Sequence, residues 1–438
     1  MINAQRITEE KKLKKKNLKY LFKCSNNNRR KLWKRESMDK EVNVILHWNT
    51  DYAEIPRKEL KNVVKRSYKP MVDALEIWGK GKVCFNISGH TIMFLENEFP
   101  ELIEKIKSLV NNNVVEMVSS GYSHPILPLL PSQRIISQVS SHINLIKEVF
   151  GQKPTGCWPP ELAVSPLVLK LLLELGIKWT AIDEEHFSLA QTFGNDINLF
   201  ERRKPTVTEV MAKAYWSKGM GKFRNYLKTR KESEQRKKNL INPLELIHVN
   251  SNEKIKGYLC SVAWYTTTKF AMKGVPFFYN PKKHLKAIKK SKAKYIPLYG
   301  SDIEFFGYRD LGTAAPKPEK FVEFLSLLEK NNIPTKSISE IPEDQWSSEP
   351  KFIGTGSWDD DKSLRLWTDS EDNREFARQA NQIYGFLDKK NWDPMLIEKI
   401  EPNLRIFENS DARGWAPIPE RKMEAYDAML QIFEILEI

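Results

Sequence analysis

The sequence predicts an α/β fold organised around a parallel β-sheet, wound open or closed into a barrel. Three observations carry that prediction. From Glu41 onward, short runs of β-branched and apolar residues alternate with stretches of helical spacing over some 300 residues, the pattern of repeated strand–helix units. No glycine-rich phosphate loop follows any of these strands: GxGxxG and GxxxxGKS/T are both absent, which argues against a nucleotide-binding variant. The hydrophobic fraction is 41 %, ordinary for a packed core, and no run approaches the ~18 apolar residues of a membrane span.

The elements follow in order. VNVILHWN (42–49) reads as a buried strand, and ELKNVVKRSYKPMVDALEIWG (59–79) has helical spacing. KVCFNIS (82–88) is a second strand, FPELIEKIKSLVNNN (99–113) an amphipathic helix, and VVEMVSS (114–120) a third strand. The stretch 131–151 is a helix with Ser132 as expected N-cap and Gly151 as its stop. Ser165-Pro166 pairs an N-cap with proline at the first helical position, and Gly176 can close that helix in the left-handed conformation. IKWTAID (177–183) and KAKYIPLYG (292–300) are further strands, and 318–332 is the helix after the last. Beyond about residue 340 the β-signal fades, and three helical stretches remain.

The expected organisation is a basic tail at 1–40, a barrel-type catalytic domain at 41–340 and a helical C-terminal domain at 341–438. A polar, basic insertion at about 204–257 interrupts the middle domain and is expected to be partly helical and exposed. The net charge of +14 belongs to two segments: residues 1–37 carry +10 and 218–238 carry +7, leaving −3 for the rest. The body is therefore not basic, and nucleic acid is not an expected partner. The tail has no apolar stretch of a secretory signal and reads as a solvated arm, with Met38 as an alternative start. Cys24, Cys84, Cys157 and Cys260 are scattered, without a CxxC pair, which fits a reducing, cytoplasmic setting. The seven histidines contain no HxxxH or HxxH pair, so no metal site is expected.

In parallel α/β folds the chemistry sits in the loops after the strands' carboxyl ends. Those positions hold His47-Trp48-Asn49, Ser88-Gly89-His90, GYSHP (121–125), Trp158 to Glu161, Asp183 to Glu185, and SDIEFFGYR (301–309). The Pro159-Pro160 stem fixes the direction of Glu161. Asp302, at the end of another strand, can face Glu161 across the sheet. Two carboxylates flanked by aromatics suit glycoside cleavage, ~5 Å apart for retention and ~6.5–9.5 Å apart for inversion. Aromatic faces stack on the C–H faces of sugars, and His and Asn side chains donate to hydroxyls.

At these residues the sequence resembles glycoside hydrolase family 57. HWN (47–49) stands at the first motif, usually His-Gln-Pro, with Trp48 and Asn49 as departures. SSGYSHPILPLLP (119–131) resembles the second motif and WPPELAVSP (158–166) the third. SDIEFFGYR resembles the fourth, with Ile303 for the usual glycine, and ENSDARGWAPIPER (408–421) resembles the C-terminal segment. The resemblance implies an incomplete seven-stranded (β/α) barrel with C-terminal helices, an α-glucan or oligosaccharide substrate and no obligatory cofactor. It implies Glu161 as nucleophile and Asp302 as general acid/base of a retaining, α-amylase-like glycosidase. His47, Asn49 and His124 are then expected to bind sugar hydroxyls, and Trp158, Trp415 and Trp358 to stack on sugar rings. The alternatives are a 4-α-glucanotransferase on the same site, a metal-dependent polysaccharide deacetylase on a related barrel, and a catalytically inactive glucan-binding relative. Oligomeric state and linkage preference are not legible in the chain.

Overall fold

The computed structural model describes residues 39–51, 53–193, 219–273, 280–309, 315–414 and 417–438. The tail 1–38, the first part of the basic insertion and Trp415 lie outside the described residues. The strands, in chain order, are β1 Glu41–Trp48, β2 Val83–Ile87, β3 Val115–Met117, β4 Gly156–Cys157, β5 Trp179–Asp183, β6 Leu244–His248, β7 Lys254–Cys260 and β8 Tyr295–Asp302. They form two four-stranded sheets, ordered β3-β2-β1-β8 and β4-β5-β7-β6. All neighbours are parallel except the β6–β7 pair, which is antiparallel.

The α/β class and its parallel sheets are as expected. The seven-stranded count and the barrel are not seen as such: among the described residues the strands divide between two sheets, with no closed barrel. The physical reason lies at the two seams. On one side β3 and β4 are so short that a single bridge, Ser119 to Cys157, joins the sheets. On the other, β7 and β8 are not laddered, although they come close: a Cβ added to Gly300 of β8 would lie 3.3 Å from the Cys260 sulfur of β7. Strand β6 and the start of β7 also fall inside the span read as a basic insertion, and β7 lies between β5 and β6.

The helices are α1 Lys69–Trp78, α2 Gly89–Glu98, α3 Pro100–Asn111, α4 Ser132–Phe150, α5 Pro166–Glu174, α6 Glu184–Phe193, α7 Gly219–Asn239, α8 Val262–Lys273, α9 Pro281–Lys290, α10 Pro318–Glu329, α11 Glu371–Lys389, α12 Pro394–Glu408 and α13 Pro419–Leu436. The predicted start of α5 is as read: Ser165 Oγ accepts from the Val168 amide at 3.2 Å, and Gly176 takes φ +85° beyond the end. Ser132 is instead the first residue of α4, and Pro131 occupies the cap position without a side-chain bond.

Two large hydrophobic clusters hold the chain together. One packs β1, β2 and β3 against α1, α3 and α10. The other joins α4, α5, β5 and β7 to α11, α12 and α13. The C-terminal helices therefore share a core with the sheet helices. Among the described residues, no helix is long and apolar enough to cross a membrane, and Cys84, Cys157 and Cys260 are buried free thiols.

Candidate active site

β1 ends at Trp48, so His47 stands at the carboxyl end of its sheet, in register with Asp302 at the end of β8. Asn86 of β2 orients it. The Asn86 Nδ2 donates to the carbonyls of Val118 and Ser119, each at 3.0 Å, so its oxygen faces His47 Nδ1 at 2.7 Å. Nδ1 must then carry the proton, which leaves Nε2 as the free acceptor of a neutral ring. Burial lowers the His47 pKa and keeps it neutral, although Asp302 opposes this. The ring stacks on His124 at 4.9 Å and on Trp158 at 5.9 Å between centroids. Trp158 in turn reaches β8, where Gly300 leaves room for it: a Cβ there would lie 3.4 Å from the indole. Groups from β1, β4 and β8 thus meet at one mouth.

Glu161 follows Pro159 and Pro160 and takes φ +58°, ψ +21°, in the left-handed region. Leu162 follows at φ +48°. Such backbone is costly for residues with a Cβ and persists only where its surroundings hold it. Here the next residues are held by a two-way bridge, Val164 N to Gly356 O at 2.9 Å and the reverse at 3.1 Å. The turn aims the carboxylate inward. Its Oε2 accepts from Trp358 Nε1, and its Oε1 lies 3.4 Å from Ser410 Oγ and 3.9 Å from His124 Nδ1. Its neighbours are chiefly neutral donors and other acids. Burial, with Asp302 and Glu54 adding to it, pushes the Glu161 pKa up to about 7, against the Trp358 and Ser410 hydrogen bonds.

Asp302 is held differently. Arg309 Nη2 donates to its Oδ2 at 2.7 Å, while Nη1 of the same guanidinium donates to Glu54 at 3.0 Å. Glu304, two residues on, is fully buried against the Tyr68 hydroxyl, and burial raises its pKa to about 8.

The segment after α12 completes the cluster. Ser410 Oγ lies 2.9 Å from His124 Nδ1. Asp411 accepts from Asn49 Nδ2 at 2.9 Å and from the Ala53 amide at 3.2 Å, and burial raises its pKa. His124 itself takes φ +58°, and burial holds its pKa well below the ordinary histidine value. His124, Glu161 and Asp411 each offer a ligand atom within 4.8 Å of the others, a set that could hold a cation.

Of the eight residues singled out from the sequence, the structure brings His47, His124, Trp158, Glu161, Asp302 and Trp358 together. Asn49 lies behind them, fully buried, its Nδ2 on Asp411 and its Oδ1 receiving the Asp51 amide at 3.1 Å. Trp158 is only 5 % exposed, so it forms a floor rather than an open platform. Trp358 is half-buried, and Trp415 lies outside the described residues. Sequence reasoning missed Asn86, Arg309, Ser410 and Asp411. All four stand in quoted stretches: Asn86 lies in KVCFNIS, Arg309 closes SDIEFFGYR, and Ser410-Asp411 precede the tryptophan that drew attention.

Residues 22–211 match the model of glycosyl hydrolase family 57. An alpha-amylase of Dictyoglomus thermophilum is 30 % identical over 128 residues, 29 % of this chain and 19 % of the relative. A 4-alpha-glucanotransferase of Thermococcus litoralis is 28 % identical over 125 residues, again 28 % of this chain and 19 % of the relative. The chain thus spans about a fifth of the length of these curated relatives. Among solved structures, the T. litoralis 4-alpha-glucanotransferase aligns with a TM-score of 0.62 at 14 % identity, over 90 % of this chain and 60 % of that one. A family 57 branching enzyme of Thermococcus kodakaraensis aligns at 0.61 and 14 % identity, over 91 % and 90 %. At that identity the likeness is one of fold.

Proposed function

We propose, for a chain that belongs to glycosyl hydrolase family 57 through residues 22–211, a retaining glycosidase that acts on α-glucans in the manner of an α-amylase. The observation that supports it most is Glu161: a partly exposed carboxylate, aimed by a left-handed turn toward His124 and held by hydrogen bonds from Trp358 and Ser410. Double displacement needs the nucleophile ionised and the other acid protonated; the Trp358 and Ser410 bonds favour the ionised Glu161 against the burial that raises it to about 7.

In the first half-reaction, a Glu161 oxygen bonds to the anomeric carbon as the bond to the glycosidic oxygen breaks. Asp302 gives its proton to that leaving oxygen. In the second, Asp302 takes a proton from water or an acceptor sugar, whose oxygen displaces Glu161 from the anomeric carbon. Protonating Asp302 requires its bond from Arg309 to open, and Glu54 already holds the other end of that guanidinium. His47 Nε2, as acceptor, and the rings of Trp158 and Trp358 flank the sugar. Asn49 serves through Asp411. The incomplete-barrel description of family 57, with a cleft between the sheets, remains part of this reading, as do the domain limits at about 40 and 340.

The test is turnover of maltoheptaose by wild type, Glu161→Gln and Asp302→Asn. Only shorter products mean hydrolysis, and longer ones mean glucanotransferase action; substantial turnover by Glu161→Gln removes the nucleophile assignment. The His124–Glu161–Asp411 set supports one second reading, a metal-dependent deacetylase. Chelator-sensitive release of acetate from an acetylated oligosaccharide, with maltoheptaose untouched, would favour it.

A further inference from the structure

Glu161 owes one hydrogen bond to a tryptophan on a distant loop, and that loop is fixed by a buried cation which the mechanism above does not use. Lys362 is 2 % exposed and takes φ +65°, an uncommon conformation for lysine. Its Nζ lies 3.4 Å from Asp183, the last residue of β5, and 3.5 Å from Glu185 in the first turn of α6, and donates to the Trp358 carbonyl at 2.8 Å. A buried ammonium needs such acceptors, because desolvation otherwise drives off its charge. The two acids hold the Lys362 pKa up against burial.

The loop between Gly356 and Lys362 is folded tightly on itself. A Cβ on Gly356 would lie 2.3 Å from the Lys362 carbonyl oxygen and 2.4 Å from the His186 ring. Lys362 N donates to Asp359 O at 3.0 Å, and Trp358 N donates to Glu161 O at 3.3 Å. Trp358 Nε1 then reaches the Glu161 carboxylate. One residue therefore meets the reactive acid through both backbone and side chain, while its carbonyl is nailed from behind.

We propose that Lys362 is a positioning residue for Glu161, acting through the Trp358 carbonyl to hold the indole N–H on the carboxylate. The proposal rests on the reading of Glu161 as the nucleophile. The charged and titratable groups facing Glu161 are His124, Asp302, Glu54 and Asp411; those facing Lys362 are Asp183, Glu185 and His186. Neither Lys362→Met nor Trp358→Phe substitutes a charged group that faces Glu161, and Lys362→Met takes from Asp183 and Glu185 the cation they share. The indole bond favours the ionised carboxylate, so losing it moves the acid limb of the kcat/KM profile to higher pH.

The experiment is a double-mutant cycle read in two ways. In the kinetic profile, Trp358→Phe and Lys362→Met should each move the acid limb upward, lowering kcat/KM at pH 6 by about tenfold for a shift of about one pH unit. The double variant should move it no further than Trp358→Phe alone. The second readout needs no turnover: the Trp358 indole ¹H–¹⁵N resonance, assigned by its loss in Trp358→Phe, should titrate with Glu161 in wild type. In Lys362→Met it should lose its hydrogen-bonded shift or titrate at higher pH. Should Lys362→Met not fold, Asp183→Asn, which keeps the acceptor for the His186 amide, loosens the same ammonium and is expected to act in the same direction. A folded variant with unchanged indole titration, or limb shifts that simply add, overturns the proposal. A protein inactive on every glucan whose indole still follows Lys362 refutes the glycosidase reading and leaves the positioning role standing.

Discussion

Two buried acid clusters stand two residues apart in the chain and are built on opposite principles. At the end of α12, Glu408 takes both oxygens of its carboxylate to one guanidinium: Arg134 Nε at 2.7 Å and Nη2 at 2.9 Å. Gln138 adds a bond at 2.7 Å and Tyr384 another at 3.0 Å, while Glu401 takes the remaining Arg134 nitrogen at 2.6 Å. Every charge has a counter-charge and every lone pair a donor. Just beyond, Ser410 and Asp411 join Glu161 and His124, where acids face acids and their donors are an indole, a hydroxyl and amides. The difference teaches how burial can be used. Matched charges fix α12 on α4 and deliver the following turn; unmatched ones leave a carboxylate raised by burial, whose ionisation rests on neutral donors.

The comparison can be broken at either end. The largest expected effect is on rate: Glu161→Gln should lower kcat by at least about a thousandfold on maltoheptaose, with the circular dichroism spectrum unchanged. Next is Arg134→Met, which strands Glu408 without its cation. Urea unfolding should show a loss of about 3–5 kcal/mol, while turnover per folded molecule stays close to wild type.

A third test sharpens the contrast through pH. The Glu161 pKa is raised on folding, from an ordinary 4.5 to about 7. A raised carboxyl binds its proton more tightly in the folded state, so its contribution is present below pH ~4.5 and is lost as pH climbs through ~7. Glu161→Gln escapes that loss. Its stability relative to wild type should therefore grow by up to about 3 kcal/mol between pH 4 and pH 8, an inactive protein outlasting the active one. A flat difference would mean that Glu161 is not raised. The smallest effect is expected at Asn49→Ala, which removes a donor from Asp411: about 1–2 kcal/mol of stability, seen as a lower melting temperature.

Much of this is legible in the sequence alone, for physical reasons. β1, β2, β5 and β8 are runs whose β-branched and apolar residues announce burial. Glu161 stood out because Pro-Pro restricts its backbone, and Asp302 because it ends a strand. β4 was illegible, being two residues long with one a glycine. β6 and β7 were hidden by their basic surroundings, and β6 pairs antiparallel where strand–helix alternation leads one to expect parallel neighbours. Arg309, Ser410 and Asp411 gain their meaning only from approach in space: Ser410 reaches Glu161 across 249 positions. No local pattern encodes such a meeting. The seven-stranded count was equally out of reach, because at one seam two- and three-residue strands offer little backbone to pair.

The left-handed turn at Glu161 has one more consequence. Removing that side chain altogether, as Glu161→Gly, would suit the backbone there better than any L-residue, since glycine alone bears φ +58° without strain. Such a variant would keep its loop geometry and gain a void the size of a carboxylate, open to small anions. If Glu161 is the nucleophile proposed above, formate or azide supplied in the buffer should take its place, and turnover should return in proportion to their concentration.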